Sequence, residues 1–516
     1  MTSLDDTTPV HRRRSILTNT AMNGMAQAAT ILSTLVFFPL LYAAFGPGDF
    51  GVYIIASTVT GIAVMFDFGI GTSTVRHVAE RIALRDLEGF SVVVSSTAAL
   101  LAVLGVVVAV VVVVVGLSAG LLFNVTAEQE ELLTRLLLIG GVMQLWSWPA
   151  ATAVHVLGGL ERYDLVARTS VLATLGNVMA IGLVLLMDAG PVQLMFASAA
   201  VMVAGSLMNF WSLWRVTPAR RLVAPEYATA RELVRGGLPI FAVGFTQFLN
   251  KEQADRLVVA VVLGPTSVAL YEIAAKMSTL ITQVTALPVS AVLPLASGLS
   301  ARRDTAALRD LFIKGSRYIS MIVAPIAIIL IVLAGPFVRA WFGPGFETSV
   351  IVAQMLIGAQ LFVPLYLVGD IILMATGRFS LWVRPGLLLA MTNVVLSVVL
   401  VRYVGLVGVA FGTLLAGLLE LPVYARIILP ETGATARQWL GAALPAYALV
   451  PLAALVAYAA AQTSLSLSLG GVAVCGGLAL AAYWLAAYVV VLTAGERTLL
   501  RARMARLVGA TRPGGA

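Results

Sequence analysis

One cysteine, Cys475, stands in a chain of 516 residues, so no internal disulfide forms and no thiolate cluster is available for a metal. The three histidines, His11, His77 and His155, are scattered without metal-ligand spacing, which leaves metal catalysis without support. No GxxxxGK[ST] run occurs, and ATP hydrolysis through that phosphate-binding loop is excluded. No cofactor is expected. Charge is equally scarce: 11% of residues are Asp, Glu, Lys or Arg, against roughly 25% in a soluble domain. Apolar residues fill the rest, at 60% of the chain with a mean hydropathy of +0.97. That composition belongs to a polytopic membrane protein.

Runs long enough to cross a ~30 Å hydrocarbon layer as helices fall at about 16–45, 50–72, 91–122, 133–157, 166–187, 192–214 and 238–263. They continue at about 268–297, 318–336, 349–375, 381–401, 406–428, 440–461 and 469–494. The expected fold is therefore all-α with fourteen spans. Alternate connections divide the positive charge: the N-terminus, 73–90, 158–168, 215–237, 298–317, 376–384, 426–439 and the C-terminus hold 27 of the 33 Lys and Arg residues. The opposite set holds only Arg339 and Arg402. Basic loops stay cytoplasmic, which predicts both termini on the cytoplasmic side of the cell membrane. The net charge of +8 is then a topological signal, and no basic run interleaved with aromatics points to nucleic acid. External connections reach only about ten residues, near 123–131 and 337–347, too short for an extracellular catalytic domain.

The stretch AAFGPGDFGVY at 43–53 reappears as AVVLGPTSVALY at 260–271, with Gly46, Pro47 and Tyr53 answered by Gly264, Pro265 and Tyr271. Arg85 and Asp86 are answered by Arg303 and Asp304, and further on Arg162, Tyr163, Leu165, Arg168 and Asn177 by Arg378, Phe379, Leu381, Arg384 and Asn393. A duplicated half separated by six spans predicts two six-helix lobes related by an axis along the membrane normal. The expected organisation is a cytoplasmic tail (1–15), an N-lobe (16–214), a linker (215–237), a C-lobe (238–428), an appended hairpin (429–494) and a basic tail (495–516). The HRRR run before the first span resembles a signal peptide, but its counterpart at 241–263 lies mid-chain, so a retained helix is expected. Within the linker, Arg231 to Arg235 reads either as a short interfacial helix or as plain connection. The tail from Glu496 to Leu507 suits an interfacial helix on anionic lipid.

Ionisable groups inside spans normally face protein or a water-filled cavity. Span seven carries Gln247, Lys251 and Asp255 at i, i+4 and i+8, with Asn250 beside them, and also Glu252 and Arg256; span eight carries Glu272, Lys276, Thr279 and Gln283. The two spans form a hairpin through Gly264 to Ser267, which puts Asp255 and Lys276 at equal depth and makes them a candidate ion pair. These rows either fasten the hairpin or form a hydrophilic wall, and the neutral hydrogen-bonding residues that extend them favour the wall. Span one has a milder row, Asn19, Asn23, Gln27 and Thr30. Amides and hydroxyls suit a sugar, because they pair with hydroxyl groups without requiring charge. Asp67 is within reach of Arg76 if the chain bends at its glycines, as a structural tie or an ion-coupling group, and Asp255 is a further ion-coupling candidate. Asp370 and Glu420 are single acids in spans ten and twelve, each a candidate proton site or tie. Asn177 and Asn393 are expected to bond between helices. Pro39, Pro288, Pro294 and Pro364 permit bends in long spans.

FGPGDFGVY after span one, FDFGIGTSTVRHVAE closing span two, GGLERYDLVA after span four and ADRLVVAVVLGPTSVALYEIAAKM across spans seven and eight together resemble the polysaccharide-transport branch of the multidrug, oligosaccharidyl-lipid and polysaccharide exporter superfamily. The resemblance covers nearly the whole chain. It implies two lobes around a central cavity lined by the first, second, seventh and eighth helices, alternating access, and no enzymatic activity. Its implied substrate is a polyprenyl-diphosphate-linked glycan moved from the inner to the outer leaflet, with membrane lipids and glycan polymerase or glycosyltransferase proteins as partners. Diphosphate contact falls to Lys251, Lys276 and Arg12 to Arg14, since the first helix has no arginine past Arg14. The alternatives are an ion-coupled multidrug or metabolite antiporter of the same superfamily, a lipid II flippase, and a membrane glycan polymerase or glycosyltransferase.

Overall fold

Apolar runs punctuated by Gly, Pro and capping residues become helices throughout. The computed structural model describes residues 9–217, 223–249 and 252–498; the side chains at 9–32, 63–65, 239–240, 242–249, 252 and 286–291 lie outside that description. Among the described residues there are no strands and eighteen α-helices. The first nine are α1 (Pro9–Ala63), α2 (Ile70–Ala83), α3 (Leu87–Leu117), α4 (Ala119–Leu122), α5 (Ala127–Gly159), α6 (Tyr163–Leu186), α7 (Pro191–Val216), α8 (Tyr227–Leu249) and α9 (Glu252–Val262). The others are α10 (Pro265–Ala301), α11 (Thr305–Phe342), α12 (Glu347–Gln360), α13 (Val363–Ala375), α14 (Ser380–Val404), α15 (Leu406–Thr432), α16 (Ala436–Ala448), α17 (Val450–Ala461) and α18 (Leu469–Val490).

Ten helices among the described residues are long and apolar enough to cross a membrane, and α12 with α13, bent by 47°, makes an eleventh. This is a multi-pass membrane protein. The first, seventh and eighth of the expected fourteen spans fall partly on side chains outside the description. Helix α1 runs through the first two spans and breaks between them at Gly46 (φ 74°, ψ 166°). Arg231 to Arg235 are helical and form early turns of α8, continuous with span seven. The segment just before α8 is anchored on α3, where the Ser95 and Ser96 hydroxyls accept from the amides of Val223 (3.3 Å) and Glu226 (3.0 Å).

The duplication is written into the backbone. Left-handed residues recur at matching positions: Gly46 (74°) and Gly264 (86°), Arg85 (57°) and Arg303 (56°), Glu161 (56°) and Gly377 (71°). Asp86 and Asp304 each follow a left-handed arginine and cap the next helix, accepting from the amides of Gly89 (2.8 Å) and Ala307 (2.9 Å). Such a cap contributes about 1 kcal/mol. Its retention in both copies marks two helix starts built by one device.

Packing separates the chain into two compact units, Met1–Glu272 and Ile273–Ala516. The division falls inside the eighth span, beyond the 215–237 linker, because α8 packs on α2 and α3 while α9 packs on α1. In the second unit, α11 presents Met321, Ile329 and Leu333 to Ala446, Ala453 and Ala457 of α16 and α17 and to Cys475, Ala479 and Tyr483 of α18. Small residues let these backbones approach closely, the usual basis of helix association in lipid.

The chain after α18 is tied back to α11. Glu496 accepts from Arg317 (3.1 Å) and from the Tyr318 hydroxyl. Burial alone would raise the Glu496 carboxyl, but hydrogen bonds from Tyr318 and Thr493 and the charge of Arg317 outweigh it and hold the group at about 2, against an ordinary 4.5. A carboxyl depressed on folding adds stability above its unfolded value and loses it as pH falls toward the folded one. Thermal stability in detergent should therefore decline from about pH 4.5 toward about pH 2, and Glu496→Gln should flatten that decline. An unchanged acid profile in the variant would remove Glu496 as its source.

Candidate functional site

The α9–α10 hairpin is closed by two adjacent rungs. The Tyr271 hydroxyl donates to Asp255 Oδ2 at 2.9 Å, and Arg256 Nε donates to Glu272 Oε2 at 2.5 Å. Asp255 is 1% exposed and Glu272 4%, so both acids are enclosed. Sequence counting placed Asp255 opposite Lys276, whereas the rungs lie nearer the turn. The reason is local: α10 starts at Pro265 itself, where a missing N–H costs nothing at the first helical position. The turn is then Leu263 and the left-handed Gly264 (φ 86°) rather than four residues, and the facing positions shift by about one helical turn.

Beyond those rungs, Lys276, Thr279 and Gln283 on α10 are half-buried. Thr279 bonds its own helix at Ala275 O (2.9 Å). Lys276 and Gln283 each have further polar or electrostatic contacts. Asn19, Asn23, Gln27, Thr30 and Gln247 lie on helices with side chains outside the described residues, as does Glu252; Asn250 and Lys251 are outside them altogether.

At the end of span two the chain breaks at Phe68 (φ 50°) and Gly69 (φ 69°) before α2 begins. Asp67 Oδ1 accepts from the Gly69 amide at 2.8 Å, while Arg76 is exposed on α2. The expected Asp67–Arg76 tie is replaced by this local turn, because the break carries Asp67 into its own backbone rather than along α2. Asp67 also faces His155 of α5 electrostatically, and the His155 ring packs over Gly71, where a methyl group would stand 2.3 Å from it.

Helix α8 crosses the break backbone to backbone. A methyl group at Gly69 would lie 2.3 Å from Gly237 O, and Phe66 and Phe68 pack on Phe241 of α8. Gly69→Ala meets both this obstruction and a left-handed backbone costing about 1–2 kcal/mol for a non-glycine residue. It should lower the melting temperature in detergent clearly, while Gly61→Ala, which meets nothing within 4 Å, should not. Equal melting temperatures for the two variants would remove the crossing as a determinant of stability.

In the second unit, Tyr366 and Asp370 lie one turn apart on α13, and Glu420 and Tyr424 lie one turn apart on α15. The two pairs meet: Tyr424 donates to Tyr366 O at 2.9 Å, and Asp370 is an electrostatic neighbour of Glu420, Tyr366 and Tyr424. Asp370 Oδ1 is enclosed with no hydrogen-bond partner from the protein. The α12–α13 break supplies the setting. Pro364, without an N–H, sits at the start of α13, and three carbonyls around the break take side-chain donors: Leu361 O from Tyr447 (2.6 Å), Leu365 O from Trp439 (3.1 Å) and Tyr366 O from Tyr424. Sequence reading found both acids and missed the tyrosines. The i, i+4 repetition of acid and tyrosine in YLVGD and ELPVY was the available signal.

Asn177 donates to Ala173 O of its own helix at 3.0 Å rather than across helices. Its counterpart Asn393 is 3% exposed, with Oδ1 unpartnered by protein.

A sequence family described as polysaccharide biosynthesis protein matches residues 44–351. The uncharacterized membrane protein EpsK of Bacillus subtilis (strain 168) is 27% identical over 251 residues, 46% of this chain and 47% of that protein. The match thus spans about half the length of that relative. Among solved structures, an inward-closed lipid II flippase MurJ superposes with a TM-score of 0.66 at 16% identity, covering 90% of this chain and 98% of that one. An inward-facing multidrug resistance MATE family transporter of the MOP superfamily gives 0.63 at 18% identity, covering 78% and 96%. At such identities the likeness is one of fold.

Proposed function

The chain belongs to the polysaccharide biosynthesis protein family, and from that premise we propose that it flips a polyprenyl-diphosphate-linked glycan from the inner to the outer leaflet of the cytoplasmic membrane by alternating access. The observation that carries this reading is the family match itself, which runs from the first Gly-Pro turn through the second and includes the charged hairpin. A glycan head group is too polar to cross hydrocarbon unaided. The half-buried Lys276, Thr279 and Gln283 are its proposed contacts on α10, as are Gln247, Asn250 and Lys251 on span seven and Asn19, Asn23 and Gln27 on span one. Lys251 and Lys276 would meet the diphosphate. Asp255 and Glu272 would hold the hairpin that presents these rows. The basic connections support cytoplasmic placement of both termini, and polymerase or glycosyltransferase proteins are proposed partners on either side of the transfer.

Mass spectrometry of lipids from a deletion strain, combined with leaflet-specific labelling, tests the reading. Lipid-linked glycans should accumulate on the inner leaflet; their absence there would overturn it. One observation favours a second reading, an ion-coupled antiporter of small solutes: the enclosed Asp370 oxygen without a protein partner. That reading requires the deletion strain to lose efflux of a small solute with its lipid-linked glycans undisturbed.

A further inference from the structure

The two copies of the repeated Gly-Pro turn touch one another. Gly51, in the first copy, packs against the second so closely that a methyl group in its place would stand 1.9 Å from Pro265 O. Both residues are buried. The connection between α4 and α5 closes the same junction: Asn124 donates its amide to Ala260 O at 3.3 Å and its Nδ2 to Val262 O at 3.1 Å. A methyl group at Gly264 would stand 2.4 Å from Asn124 O.

These acceptors belong to the last turn of α9, whose carbonyls have no continuing helix to bond. The amides of Leu263 and Gly264 both return to Val259 O (2.8 and 3.1 Å), and Pro265 has no N–H to offer. Ala260 O and Val262 O are therefore open, and Asn124 from a distant connection caps them. The seventh span thus ends on a cap supplied by the loop that follows the third, next to a glycine seam with the second. No covalent bond or ion pair is involved among these contacts, so the junction can close tightly and still part at low cost. It lies on the side opposite the basic connections, the outer side in the proposed orientation.

We propose that this junction, Gly51 against Pro265 with Asn124 capping α9, is the outer gate of the transporter, sealed in the present conformation and parted when the protein opens outward. The proposal rests on the alternating-access reading above. It gives the repeated turn a role besides folding: the first copy supplies the small residue that the second copy's carbonyl abuts.

Two arms test it. In the first, Asn124→Cys and Val262→Cys are combined and joined from outside by a short, membrane-impermeant bis-methanethiosulfonate, which forms a reducible disulfide with each thiol by displacing methanesulfinate and does not reach the buried Cys475. Reconstituted transport of a lipid-linked glycan should fall about tenfold or more, as expected when one of two required states is removed, and recover on reduction. Full transport by the cross-linked protein would overturn the gate. The second arm needs no substrate. Ala260→Cys, at a site 1% exposed, reports on opening by its labelling rate with an impermeant maleimide. Adding Gly51→Leu should raise that rate about tenfold by populating an otherwise minor open state; an unchanged rate in folded protein overturns the gate. Should Gly51→Leu fail to fold, Asn124→Ala replaces it, with about a fivefold rise expected from loss of one hydrogen bond. If the parent protein moves no lipid-linked glycan, the flippase reading fails, and the labelling arm still decides the gate.

Discussion

Glu272→Ala should destabilise the protein by about 3–5 kcal/mol, the usual consequence of removing one partner from a buried ion pair, and should deplete it from the membrane. The Arg256 side chain is only 11% exposed and its Nε bonds Glu272 at 2.5 Å. Without that carboxylate the guanidinium, which cannot shed its proton, loses its 2.5 Å ion pair inside the hairpin. The decisive comparison is the double variant Arg256→Met with Glu272→Leu. Removing both charges while keeping volume should restore most of the stability, because well-packed apolar residues often equal a buried pair. Abundance in membranes and melting temperature in detergent are the measurements. If Glu272→Ala matches the parent in both and yet transports poorly, Glu272 acts on substrate and the tie reading is wrong.

How much of this was legible in sequence depends on which chemistry wrote the signal. The repeated turns were readable because a left-handed residue beside a proline or a capping aspartate leaves a fixed local pattern, and Gly46 and Gly264, or Asp86 and Asp304, carry it in both copies. The charged rows were readable because ionisable residues are conspicuous in apolar spans. Their partners were not. Counting along α9 and α10 sets depth and face but not the length of the turn, and a two-residue turn at Leu263 and Gly264 puts Tyr271 and Glu272 at the rungs with Asp255 and Arg256. Tyr366 and Tyr424 were overlooked for a different reason. In a span a tyrosine looks like any apolar residue with a polar tip, and only the α12–α13 break creates the carbonyls that give it work. The Asp67 turn was likewise hidden, since FDFGIG announces a bend without saying that α8 will cross it at Gly237.

The same break makes Asp370 the residue whose loss should most affect transport without affecting folding. A carboxyl oxygen enclosed in a span and unpartnered by protein is costly to retain, and Glu420 nearby adds a second acid rather than a counter-charge. Two acids that repel each other are jointly satisfied by a bound cation or a shared proton. On the ion-coupled reading such a site would respond to an ion gradient, and its occupancy would alter the packing of α13 on α15 where Tyr424 bridges to Tyr366. Asp370→Asn keeps the shape and removes the charge. It should lower gradient-driven transport by about 5- to 150-fold, the range of a coupling energy between two sites, with abundance near that of the parent. Glu420→Gln should act in the same direction, and the double variant should be little worse than Asp370→Asn if the acids work as a pair. Dependence of transport on pH or on the driving ion should flatten in all three variants. Retention of the full gradient dependence in Asp370→Asn would reduce the acid to a structural group and move the coupling site elsewhere in the chain.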